Sequence, residues 1–204
     1  MIFLGNSEKF RITYILIAVN IAFYVYTSVM GGDFVETSNN MIGLYGQNTF
    51  LVFRGEYYRL FSSMFVHASI AHLAGNLLFL LVFGLRAEEM FSLPEYLLVY
   101  FLGGLAGNLV SLWLLPYSFS VGASGAIFGM FGAVTVFARR SVNQSIIGAL
   151  IYGFFLLFIS SGQGVNVFAH LGGLVCGLII GYLLGARRKP ENRYSFQYSY
   201  SAFP

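Results

Sequence analysis

The sequence predicts an all-α membrane protein, a bundle of six transmembrane helices with a long first outer loop. Three observations lead there. Of 204 residues, 57% are hydrophobic and only 9% are charged, where a soluble domain carries about 25% charged residues. Apolar runs that can cross about 30 Å of hydrocarbon recur along the chain. Lysine and arginine gather in every second connection between those runs. The many rings, 22 Phe and 14 Tyr, suit a chain that packs against lipid and anchors at its interfaces.

Residues 1–11 form a short N-terminal segment ahead of the first apolar run, 12–30. That run is longer than a signal-peptide core and has no small-x-small cleavage site after it, so it reads as an uncleaved span. The connection from Gly31 to about Phe65 is the longest. It starts with Gly31, Gly32 and Asp33, passes Asn39, Asn40 and Gly43, and ends in the aromatic stretch "FLVFRGEYYRLF". That stretch predicts an interfacial segment lying on or slightly in the membrane, with an ordinary solvated loop as the alternative. Further spans are predicted at 66–85, 94–115, 122–138, 145–161 and 167–186, the fourth and fifth being short. Residues 12–186 thus make one membrane domain. The tail 187–204, "RRKPENRYSFQYSYSAFP", has no periodicity and is expected to be disordered. Cys176 is the single cysteine, so no disulfide forms within the chain.

Charge sets the orientation. Lys9, Arg11, Arg86, Arg139, Arg140, Arg187, Arg188, Lys189 and Arg193 flank one set of span ends; only Arg54 and Arg59 lie on the other side. The positive-inside rule puts both termini in the cytoplasm, with the cell membrane as the expected location. Spans two, four and six then begin at the outer face. Their first residues include His67 and His72, then Ser124, then His170. The overall charge of +3 is small and indicates no nucleic-acid partner. No phosphate-binding glycine loop and no zinc-type Cys/His spacing occurs, so no cofactor is expected.

Depth matters for Ser124. It lies 15 residues before Arg139, about 23 Å along a helix. With the arginines at the inner headgroups, the serine falls several ångströms below the outer interface. A helix N-terminus there has orphan N–H groups that lipid cannot satisfy. They need water or a ligand, and they suit a developing oxyanion. A serine hydroxyl also needs a base beside it. Glu88, Glu89 and Glu95 belong to the cytoplasmic side, which favours a Ser-His dyad over a triad. His170 is the better base. It sits three residues before Gly173 in a ladder of Gly173, Gly177, Gly181 and Gly185, and span four answers with Gly122, Gly125, Gly129 and Gly132. Small residues at such spacing let membrane helices approach closely, which brings His170 to Ser124. The ladders could equally serve packing alone.

Span two contributes "HASIAHLAGN". His72 and Asn76 share a helix face and can both donate hydrogen bonds. His67 lies five residues before His72, about 140° round a helix, so the two do not comfortably share a metal. A three-histidine zinc site and mutual helix glue are the alternatives, and a structural role for His67 fits as well as a catalytic one.

Together, "HASIAHLAGN", "GASGAIFG" and "AHLGGLVCG", in that order on spans two, four and six, resemble the rhomboid family of intramembrane serine proteases. The resemblance covers nearly the whole chain and implies the minimal six-span form. It implies a helical bundle with an outward-opening watery cavity that cuts transmembrane segments of other membrane proteins, so that its partners are transmembrane substrates and membrane lipid. By position, Ser124 is the nucleophile and His170 the general base. His72, Asn76 and the Ser124 N–H form the oxyanion hole, Gly122 permits close backbone approach there, and Phe128 stands against the base. The family often has tyrosine where Phe128 stands, and Trp-Arg where this chain has Tyr58-Arg59. Span five and the outer loops are the expected gate. A non-catalytic rhomboid-like binder or chaperone is the rival from another class, and Ser124 and His170 together speak against it.

Overall fold

The computed structural model describes residues 11–115, 119–142 and 165–188, and these are mostly helical. The predicted fifth span, 145–161, and most of the N-terminal segment and tail lie outside them. Among the described residues, four helices are long and apolar enough to cross a membrane: Ile12–Gly31, Ile70–Met90, Leu93–Leu114 and Val167–Arg187. A shorter apolar helix covers Ser124–Ala138. In chain order the helices are α1 (Arg11–Gly31), α2 (Asn39–Tyr45), α3 (Thr49–Phe53), α4 (Arg59–Ser62), α5 (Ile70–Met90), α6 (Leu93–Leu114), α7 (Ser124–Val142) and α8 (Val167–Arg187).

Glycine decides how α6, α7 and α8 meet. Gly173, Gly177 and Gly181 on α8 lie directly on the carbonyls of Gly125, Gly129 and Ala133 on α7, with no room for a Cβ at any of the three. Gly103 on α6 faces the Cα of Gly129, and Gly107 faces the carbonyl of Ala169. Backbones approach this closely only where side chains are missing. One member of the expected span-four ladder belongs elsewhere: Gly132 lies in the seam, against the Leu174 carbonyl and the Leu178 N of α8, whereas Gly122 precedes α7 and faces His72 and Asn76.

Packing on the other side of α7 uses rings and aliphatic chains. Phe83 of α5 meets Phe131 of α7 at 5.1 Å between ring centroids, and Phe91 meets Phe137 at 5.0 Å. Tyr96, Tyr100, Val99 and Met130 are fully buried in the same core. α1 packs against α5, and its Thr13, Asn20 and Thr27, seven residues apart, are buried, the last two bonding the Leu16 and Tyr24 carbonyls of their own helix. The Thr13 N–H donates to Glu88 Oε1 at 2.6 Å, and the Thr13 hydroxyl bonds the Tyr96 hydroxyl at 3.0 Å. An end of α1 is thereby capped by a carboxylate from another helix, which satisfies an orphan N–H.

The long connection is largely ordered by its own polar groups. Ser38 and Asn48 cap α2 and α3 through Met41 N–H (3.4 Å) and Leu51 N–H (3.0 Å). Arg59 is buried and donates to Glu56 at 2.7 Å and to the Gly43 and Gly46 carbonyls at 2.7 and 2.9 Å. Phe50, Phe53, Tyr57, Tyr58 and Phe61 nevertheless stay exposed. An apolar fringe on a polar scaffold fits the interfacial position expected of this stretch.

Two short strands lie outside the helical prediction. β1 (Gln47–Asn48) pairs antiparallel with β2 (Phe119–Ser120), Gln47 opposite Ser120. The start of the second span also differs. Residues 66–69 are not helical; Thr37 N–H bonds Ala68 O at 2.8 Å and Ile70 N–H bonds Val35 O at 2.9 Å. The helix begins only after Ser69, whose hydroxyl accepts the His72 N–H at 3.1 Å. His67 therefore precedes α5, and a helical angle between it and His72 has no meaning.

Candidate active site

The starts of α5, α7 and α8 meet around one cavity of about 550 Å³, lined among others by His72, Asn76, Gly122, Ser124, Phe128 and His170. Ser124 is the first residue of α7. Its N–H belongs to the first turn, which has no preceding carbonyl to bond. His170 lies in the first turn of α8 and is buried. The Gly125–Gly173 contact holds the two helices together one residue beyond Ser124 and three beyond His170. As a result His170 Nε2 stands 2.7 Å from Ser124 Oγ, within hydrogen-bond distance. The ring of Phe128, one turn along α7, stacks on the imidazole at 4.6 Å and 23°. That contact orients the ring through its face and leaves the edge free for the hydroxyl.

Across the cavity stand the two donors from α5. Ala68 N–H donates to His72 Nδ1 at 3.4 Å. Nδ1 is then the acceptor, which leaves the proton on Nε2. The Asn76 amide donates to the His72 carbonyl at 3.1 Å, which fixes the amide's orientation and leaves its second N–H for the cavity. Gly122 closes the third side, at φ +120°, a backbone state that favours glycine. A Cβ there would stand 2.8 Å from His72 Nε2 and 3.7 Å from Asn76 Nδ2. The missing side chain leaves a notch rimmed by His72 Nε2–H and Asn76 Nδ2–H, next to the start of α7. Gly122 N–H is anchored on the Ser63 carbonyl at 2.9 Å, so the turn is held from behind.

His67 stands apart from the Ser124–His170 pair. It is fully buried, its ring meets that of His72 edge-on at 5.2 Å, and its Nδ1 faces the Phe65 carbonyl at 3.2 Å. It supports His72 and does not line the cavity. Among the described residues no three His, Cys, Asp or Glu side chains gather as a metal site, and none of the described cavity-lining residues is a carboxylate.

The family model of the Rhomboid domain matches residues 54–187. This chain belongs to the rhomboid family. With its several long apolar helices it is a multi-pass integral membrane protein. It is 32% identical over 193 residues to Rhomboid-like protease 3 of Toxoplasma gondii, covering 88% of this chain and 71% of the relative. It is 32% identical over 185 residues to Rhomboid protease GluP of Bacillus subtilis, covering 88% of this chain and 36% of that protein. RHOMBOID-like protein 6, mitochondrial, of Arabidopsis thaliana is 36% identical over 135 residues, 63% of this chain and 44% of the plant protein. The chain thus spans less than half the length of the last two.

Sequence reasoning passed over a second ring of polar residues in this rhomboid domain. Asn108 of α6 donates to the Leu60 carbonyl at 2.7 Å and to Ser63 Oγ at 3.0 Å, and Gln47 donates to the Asn108 carbonyl at 2.9 Å. Asn166, next to α8, bonds Ser111 and Ser120. An asparagine deep in an apolar span is itself a signal, and Asn108 carried it. Asn166 carried the weaker signal of an N-cap residue four positions before a histidine.

Proposed function

We propose that this rhomboid protein is an intramembrane serine protease that hydrolyses peptide bonds in or near the transmembrane segments of other membrane proteins. The observation that carries this reading is the 2.7 Å contact between His170 Nε2 and Ser124 Oγ, inside a cavity that also holds the His72 and Asn76 donors. The hydroxyl gives its proton to His170 Nε2 as Oγ attacks the scissile carbonyl carbon. The carbonyl π pair moves to oxygen. That oxyanion enters the notch beside Gly122 and accepts from His72 Nε2–H, Asn76 Nδ2–H and the Ser124 N–H. When the intermediate collapses, the C–N bond breaks and the imidazolium returns its proton to the leaving amine. Water, deprotonated by His170, then attacks the acyl-serine, and collapse releases the new carboxyl terminus and restores the hydroxyl. The preorganised donors act where charge develops, and such donors contribute most in a site that excludes bulk water.

In this reading, residues 12–186 form the protease domain between a cytoplasmic N-terminal segment and a cytoplasmic tail, with the cavity opening to the outer side of the cell membrane. The test uses the purified protein in lipid vesicles with a model transmembrane substrate and mass spectrometry of the products. Ser124→Ala and His170→Ala are expected to abolish cleavage, and a fluorophosphonate should label Ser124 in the unaltered protein only. Asn76→Ala should lower the rate about 100- to 1,000-fold, the usual cost of one oxyanion donor. Undiminished cleavage by Ser124→Ala would overturn the assignment, and an unlabelled, inactive wild type would favour the binder instead.

A further inference from the structure

We infer that Asn166 is a positioning residue, a pin that fixes how far the Ser124 hydroxyl stands from the His170 imidazole. This rests on the serine-protease reading above. The need for a pin follows from the α7–α8 seam. Glycines on backbone carbonyls permit close approach, but they interlock few side chains. A seam without knobs resists separation better than sliding. One residue of axial slip is about 1.5 Å, enough to break a 2.7 Å contact between a hydroxyl on one helix and an imidazole on the other.

Asn166 sits where sliding can be stopped. It is the N-cap of α8, four residues before His170. Its Oδ1 accepts the Ala169 N–H at 3.1 Å. Its main-chain carbonyl accepts from the Ala169 and His170 N–H groups at 3.1 and 3.3 Å. Only an oxygen can face the Ala169 N–H, so the amide's NH₂ points the other way. There it donates to Ser120 Oγ at 3.0 Å and to Ser111 Oγ. Ser120 lies in β2, four residues before Ser124, and its strand is paired with β1. Ser111 lies on α6 and is buried. One side chain therefore joins the base-bearing helix, the segment leading to the nucleophile, and a third helix. Cap and cross-link use different atoms of the same amide, which makes them separable by substitution.

Serine can cap a helix but is too short to reach both Ser111 and Ser120. Asn166→Ser should therefore keep the melting temperature of the full-length protein within a few degrees. Its kcat should fall about 10- to 100-fold, the upper figure being the loss expected from misplacing a reacting pair by about 1 Å. Asn166 itself lines the cavity, but the rest of the lining stays in place, so KM should change less than kcat, and fluorophosphonate labelling of Ser124 should slow by the same factor as kcat. Ser120→Ala should by itself lower kcat but add nothing on top of Asn166→Ser, because the Asn166–Ser120 link is already gone in that variant. A readout without turnover completes the test. His170 stacks on Phe128, so its ring-proton resonance, followed in histidine-labelled protein, should move in Asn166→Ser. Wild-type kcat and an unmoved His170 resonance in Asn166→Ser would overturn the proposal. So would a multiplicative loss in the double variant. An inactive, unlabelled wild type would sink the protease reading, while the resonance would still decide whether Asn166 sets the histidine's position.

Discussion

At the scale of single residues, the site depends as much on a missing atom as on the groups present. Gly122 combines φ +120° with a position where a Cβ would lie 2.8 Å from His72 Nε2. Gly122→Ala therefore meets two penalties, a strained backbone and a methyl group in the notch proposed for the oxyanion. Its kcat should drop at least about 100-fold, as for the loss of an oxyanion donor, while the Ser124–His170 contact survives. Turnover measured beside the His170 resonance separates the two effects. Normal turnover would mean that the notch is not where the charge goes. Ser124 and His170 were legible in the sequence because orientation and small-residue spacing both brought them together. Gly122 was legible as a close-approach glycine but was also counted in the packing ladder, since spacing alone does not distinguish a glycine facing a helix from one facing a histidine. His67 was read as helical because "FVHAS" continues an apolar run. The strand-like pairing of Thr37 with Ala68 that unwinds it joins residues about thirty positions apart, beyond the reach of local periodicity.

At the scale of elements, the α7–α8 seam makes the sharpest demand. A Cβ on Gly177 would overlap the Gly129 carbonyl, which is main chain and cannot rotate aside. Gly177→Ala must push the helices apart, and overpacking of this kind costs roughly 1–3 kcal/mol. Because the seam also carries Ser124 and His170, the rate should fall further than stability does. Gly43 in α2 is the control, with open space where its Cβ would be; Gly43→Ala should leave the melting temperature and turnover unchanged. Equal behaviour of the two variants would show that the seam is loose. Within the described region α1, α5, α6, α7 and α8 followed in order from the apolar runs, with ends displaced by up to five residues, whereas the short α2, α3 and α4 of the long connection did not. Those ends are set by caps such as Ser69 on α5 and by the capping box of Ser92 with Glu95 on α6. β1 and β2 escaped prediction because two-residue strands leave no period to detect.

At the scale of the whole molecule, the excess of lysine and arginine and the cavity lie at opposite ends. The turn between α5 and α6 meets the end of α8, where Arg188 pairs with Glu95 at 2.8 Å and lies over the Phe137 ring at 4.7 Å. The starts of α5, α7 and α8, with the cavity, lie at the other end together with the 32–69 connection. Nothing within the bundle dictates which end faces the cytoplasm; the asymmetry of lysine and arginine does. A chain oriented by that asymmetry exposes Asp33 outside and Glu89 inside. Cysteine scanning in a Cys176→Ala background tests it, since Cys176 is the single native thiol. An impermeant maleimide added to intact cells should label Asp33→Cys and spare Glu89→Cys, and permeabilised cells should show both labelled. The reverse pattern would turn the cavity towards the cytoplasm. The serine and histidine would keep their geometry in that case, and under the proposed protease function they would meet a different set of substrates, so that orientation would select the substrate pool independently of the chemistry.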